Sequence, residues 1–134
     1  MTRTALNPAS IGAPVAPYSH AIKTTGSEIL FLAGQVPIDK DGNTVGVGDF
    51  EAQARCVFDL LGEVLKDAGM GWDNVAKLNV FMTRREDREK ITALREELLS
   101  QWFPDGDYPI STLLFISSLY REEFLIEIEA IAVR

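Results

Sequence analysis

The sequence predicts an α+β fold, a two-layer sandwich in which two helices lie on one face of a mixed sheet. Two observations carry that prediction. Two long stretches place apolar residues three and four apart, the helical period, and the segments around them are short, apolar and bounded by turn residues. Their order along the chain is ββαβαββ, which suits helices gathered on one side of a sheet.

Taken in order, a first strand is expected around Ser19–Thr24, with Thr25-Gly26-Ser27 as the turn into a second strand over Ser27–Ala33. Ile29, Leu30, Phe31 and Leu32 form its apolar run, and Pro37 ends it because proline cannot donate to a ladder. Asp39-Lys40-Asp41-Gly42-Asn43 is a turn, the Asp-Gly pair supplying the positive φ that tight turns need. From Phe50 to Ala68 the spacing of Phe50, Ala54, Val57, Leu61, Val64 and Leu65 predicts a helix, with Asp49 as N-cap and Gly69 at its C-terminal end. Val75–Met82 follows as a strand. A second helix spans Arg85–Trp102, with Ile91, Leu94, Leu98 and Trp102 inward and an Arg, Glu and Lys-rich face turned to water. Pro104-Asp105-Gly106-Asp107 breaks it, and strands near Ser111–Ser117 and Glu123–Val133 close the chain.

No linker, internal repeat or low-complexity tract interrupts the 134 residues, so residues 1–134 read as one domain. The net charge of −7 argues against non-specific nucleic-acid binding and against attraction to anionic lipid. One cysteine, Cys56, forms no internal disulfide, and a single histidine, His20, leaves no Cys/His metal set. Apolar runs are far shorter than the roughly 20 residues of a membrane span, and a cytoplasmic location is expected.

The last strand carries a further message. Phe124, Ile126, Ile128, Ala130 and Ala132 form one side, fit to pack under the helices. Leu125, Glu127, Glu129, Ile131 and Val133 form the other, apolar at its ends with two carboxylates between. Two helices cannot cover both faces of such a sheet, so an oligomer is expected whose interface involves the open face.

Three segments resemble a known family. Ala16-Pro17-Tyr18-Ser19-His20-Ala21, Leu32-Ala33-Gly34-Gln35-Val36-Pro37 and Ile126-Glu127-Ile128-Glu129-Ala130-Ile131-Ala132 look like the three signatures of the Rid (reactive intermediate deaminase, YjgF) family, in the right order along essentially the whole chain. Asp73-Asn74-Val75-Ala76-Lys77 resembles its entry to the middle strand. The resemblance implies a chorismate-mutase-like fold, a homotrimer with small-molecule clefts between neighbouring subunits, and hydrolysis of enamines or imines to carbonyl compounds and ammonia with neither metal nor cofactor. It further implies that Tyr18 lines the cleft, that Gly34 and Gln35 form the turn facing the ligand, and that Glu127 serves the attacking water.

One position departs from the pattern. Where the family's competent members carry an arginine that grips the substrate carboxylate, Tyr108-Pro109-Ile110-Ser111-Thr112-Leu113 places Ser111, and Leu113 stands where a cysteine is frequent. Thr92 falls where an asparagine is expected. Serine offers one neutral donor in place of a bidentate, charge-assisted grip. Arg121, Arg84 and Arg85 are the candidate substitutes. Two functions follow: a hydrolase with altered specificity, using Glu127 for water, backbone near Gly34 and Leu113 to polarise the substrate, and Tyr18, Gln35 and Ser111 to shape the cleft; or a trimeric small-ligand- or partner-binding protein with little deaminase activity. Taken singly, Glu129 reads as a partner for a neighbouring subunit's cation, His20 as an ordinary strand position, and Cys56 as an inert buried thiol. Ser111 has no general base in sequence to make it a nucleophile.

Overall fold

The computed structural model describes residues 2–134. Six strands and two helices follow in the order β1 (Thr2–Leu6), β2 (Ala21–Thr25), β3 (Ile29–Gln35), α1 (Phe50–Asp67), β4 (Val75–Met82), α2 (Arg88–Trp102), β5 (Ile110–Phe115) and β6 (Ile126–Val133). The main sheet runs β3-β6-β4-β5. β6 pairs antiparallel with both β3 and β4, whereas β4 and β5 are parallel, joined by α2 as the crossover such a pair requires.

The expected α+β architecture is present. On α1, Ala54, Val57 and Leu61 have no exposed surface, and they share one cluster with Ile126, Ile128, Ala130 and Ala132 of β6. The Asp49 carboxylate accepts the Ala52 backbone N–H at 3.1 Å, satisfying one orphan donor of α1. Gly69, with φ of +69°, lets the chain turn out of the helix end. β6 alternates as expected, with its even-numbered residues beneath the helices.

Three local features differ from expectation. An extra strand, β1, precedes the others, making the order βββαβαββ. Thr2-Arg3-Thr4-Ala5-Leu6 lacks a clear alternation of its own; Arg3 fastens it, donating to the carbonyls of Val75 (2.6 Å) and Asp107 (3.0 Å) and lying over the Phe103 ring. β2 pairs with β1 in a separate two-stranded sheet rather than with β3. After β2 the chain is drawn to the C-terminal end of β6, where the Ser27 and Glu28 N–H groups both donate to the Arg134 carbonyl. At Gly26 any Cβ would lie within 2.6 Å of the Val133 side chain, so this close approach excludes larger residues. Finally, α2 starts at Arg88, after a 3-10 turn over Arg85–Asp87. The fully buried Asp87 carboxylate fixes that turn, accepting Arg84 Nε at 2.8 Å and Nη2 at 3.2 Å.

Candidate functional site

Five of the six candidate residues fall into two groups on opposite faces of the main sheet, and Gln35, at the end of β3, belongs to neither. Directly opposed residues in a sheet share a face. Ser111 and Leu113 oppose Leu78 and Val80, which are fully buried, so they face the helices. Glu127 opposes Phe81, whose other neighbour is Leu114, and these lie on the open face.

On the helix side, Tyr18, Ser111 and Leu113 line one cavity of about 690 Å³ between α2, β5 and the segment before β2. Phe115 extends its apolar wall, and Arg88, Glu89, Thr92, Arg95 and Glu96 of α2 complete it. The segment that carries Tyr18 is pinned by the Ser19 N–H on the Pro109 carbonyl (3.2 Å) and the His20 N–H on Asn7 Oδ1 (2.9 Å). His20 contacts the Tyr18 ring edge-on.

Arg95 is the residue that reading the sequence missed. It is only 5% exposed, yet its Nε and Nη2 have no hydrogen-bond partner, and neither has Ser111 Oγ. Burial lowers the guanidinium's pKa from its ordinary value, an effect partly offset by Tyr18. The signal was available in the spacing: Arg95 lies four residues after Ile91 and three before Leu98, within the apolar stripe rather than opposite it.

On the open face, the Glu127 carboxylate lies directly over Gly34, close enough that a Cβ there would come within 2.5 Å of Oε2. A register shift between Leu32 and Gln35, a bulge in the β3–β6 pairing, brings Gly34 to that place. Past the bulge Gln35 opposes the buried Ile128, which places it on the helix side rather than beside Glu127, and its side-chain amide donates to the Ala33 carbonyl at 3.1 Å. Burial pushes the Glu127 carboxyl above the usual carboxylate range, and the neighbouring charge of Glu129 raises it further. Glu129 accepts a hydrogen bond from Asn79 Nδ2 at 2.8 Å. The same face carries Lys77 beside Glu129 and the exposed apolar side chains of Ile29, Phe31 and Leu114.

A titration follows from this pairing. Glu129→Gln removes the like charge and leaves burial in place, so the Glu127 pKa falls but stays above that of a free glutamate. Carbon-13 carboxyl NMR checks it. Because the folded state raises this pKa, Glu127's contribution to stability is fully present below the unfolded value and is lost as pH rises through the folded one. The variant should therefore lose less stability over that interval than the parent.

Two of the three arginines singled out in the sequence are held by partners outside the cavity. Arg84 is committed to Asp87, and Arg121 donates to Thr44 Oγ1 while lying over the Phe124 ring. Arg85 lies over the Phe115 ring at the cavity's edge. Cys56 is half-buried, with its thiol pKa pushed up by burial, which disfavours the reactive thiolate.

With this geometry in place, comparison with known proteins gives a consistent result. A family model described as Endoribonuclease L-PSP matches residues 9–134. A RutC family protein of Synechocystis is 36% identical over 134 residues, spanning 99% of this chain and 98% of its own length. The solved structure of YyfB from Yersinia pestis, described as a protein of unknown function of the conserved Rid family, is similar with a TM-score of 0.87 at 30% identity, each chain covered in full. Escherichia coli TdcF with bound serine is similar with a TM-score of 0.66 at 27% identity, with 96% of this chain and 93% of that one covered.

Proposed function

The chain belongs to the Rid (YjgF) family, and from that premise we propose that it hydrolyses a small enamine or imine to a carbonyl compound and ammonia, in clefts shared between the subunits of a homotrimer. One observation carries the reading: the Glu127 carboxylate, with its raised pKa, is packed against Gly34 on an open and partly apolar sheet face. A carboxylate tuned toward neutrality can take a proton from water at working pH and return it later. A second copy of this chain covering that face would bring its own Tyr18–Ser111 cavity toward Glu127, joining two half-sites that one chain keeps apart.

The chemistry then balances simply. Glu127 accepts a proton as water adds to the carbon of the protonated C=N group, giving a neutral carbinolamine; an enamine enters as the same cation once its β-carbon has taken a proton from water. Glu127 returns that proton to nitrogen, then takes the hydroxyl proton as the C–N bond breaks, the O–H electron pair forms the carbonyl and ammonia leaves; ammonia finally carries this proton away as ammonium. Backbone near Gly34 and Leu113 polarises the substrate; Tyr18, Gln35 and Ser111 shape the cleft. No step calls for a metal or cofactor. A cytoplasmic setting, where such intermediates of amino-acid metabolism arise, fits this reading.

Ser111 favours a second reading, a ligand-binding trimer with little deaminase activity. Ammonia and 2-oxobutyrate release from 2-iminobutyrate generated in situ separates the two. The expected result is wild-type hydrolysis above the buffer rate and at least a tenfold gain in kcat/KM on this small substrate for Ser111→Arg. Wild-type protein at the buffer rate, with neither Ser111→Arg nor Glu127→Ala changing it, would establish the binding reading instead.

A further inference from the structure

A buried guanidinium with no partner is costly, because it has given up water and received nothing in exchange. Two of the three guanidinium nitrogens of Arg95, Nε and Nη2, are buried with no hydrogen-bond partner in the protein, and among the described residues no carboxylate forms an ion pair with it. Arg88, Glu89 and Glu96 line the same cavity but are exposed on the helix surface. The two unpartnered nitrogens, Nε and Nη2, form one edge of the guanidinium, the edge that a carboxylate meets with two parallel hydrogen bonds. Ser111 Oγ, also buried and unbonded, supplies a third donor in the same cavity. Beyond them the wall is apolar, formed by Leu113 and Phe115.

We propose that this cavity receives an amphiphilic monoanion, its carboxylate held by Arg95 and Ser111 and its apolar body lying on Leu113 and Phe115. The proposal names the substrate class of the reading above and rests on it only for the fate of the bound molecule. The arginine missing from the strand is thereby replaced from the helix. The proposal requires this buried edge to turn toward the cavity as the anion enters. A volume of about 690 Å³ exceeds what a three- or four-carbon acid fills and lies in the range of sites for larger ligands.

Isothermal titration of the full chain with phenylacetate, acetate and phenylacetamide tests this without any turnover. Phenylacetate should bind at least tenfold more tightly than either control, since acetate lacks the apolar body and the amide lacks the charge. Arg95→Met should bring the acid-to-amide affinity ratio to about one, and Arg95→Lys should restore part of it. The Arg95→Met protein should melt no lower than wild type, because an unpaired buried charge has been removed. If that variant does not fold, Arg95→Gln carries the same ratio test. Equal binding of acid and amide by the wild type, or a ratio unchanged in the Arg95 variants, overturns the proposal. A protein that retains the ratio but hydrolyses no imine overturns the hydrolase reading alone.

Discussion

Gly34→Ala should lower kcat/KM for imine hydrolysis about 100-fold while changing stability by less than about 1 kcal/mol. Gly34 is not held at positive φ, so the backbone accepts alanine without strain. The obstacle is the carboxylate above it: the new Cβ would sit 2.5 Å from Glu127 Oε2 and 2.8 Å from its Cδ. Because those atoms are the far end of a flexible side chain, the fold yields easily and the carboxylate moves by about 1 Å. A displacement of that size at a reacting group costs on the order of 100-fold in rate. Glu127→Ala should cost at least as much, since loss of a positioned general base removes about 10²–10⁴. In the double variant the Gly34 change should cost nothing further, because it acts only through a group already gone. Ammonia release beside a urea melt measures both sides of the claim. A Gly34→Ala protein with wild-type turnover would remove Glu127 from the reaction.

Much of the frame behind that result could be read directly from residue spacing. The stripe through Ala54, Val57 and Leu61 is buried as its period requires, Asp49 caps the helix, and β6 divides its residues between two faces. Such features are local, so a single stretch of chain contains the information. β1 is different: its pairing with β2 and its anchoring by Arg3 to Val75 and Asp107 join positions far apart in sequence. Arg95 was hidden for another reason. Its spacing from Ile91 and Leu98 places it inward, but its charge assigns it to solvent among the neighbouring Arg and Glu residues of α2. Position and residue type disagreed, and position prevailed. Such a disagreement marks a residue kept for something other than stability. Glu127 was legible through its flanking motif, whereas its closeness to Gly34 depends on the β3 bulge, which no pattern in the segment announces.

The largest effect on stability should come from Gln53→Met, which should cost about 3–5 kcal/mol, a substantial part of the 5–15 typical of a domain. Gln53 has no exposed surface and lies on the inner face of α1 beside Phe50 and Ala54. Its amide holds three backbone groups at once. Nε2 donates to the Gly46 carbonyl at 3.2 Å and the Glu123 carbonyl at 2.9 Å, and Oε1 accepts the Leu125 N–H at 2.8 Å. Methionine fills similar space without replacing any of these, and each buried group left unpaired costs about 1–3 kcal/mol, reduced where the chain relaxes. Gln53→Glu separates the polar requirement from packing. The carboxylate keeps the acceptor for Leu125 but, when ionised, turns negative charge onto two carbonyl oxygens in a buried site. Its folded-state pKa is therefore raised above the unfolded value near ~4.3, so the variant is at its best below that pH and loses stability as pH rises through the folded value. Urea melts at about pH 4 and pH 7 should show that trend in Gln53→Glu and not in Gln53→Met. The consequence reaches the site, because Leu125 leads into β6 two residues before Glu127. Loosening that anchor should lower turnover in the folded fraction as well as the folded fraction itself, and a Gln53→Met protein losing under 1 kcal/mol would show that the three groups are held by something else.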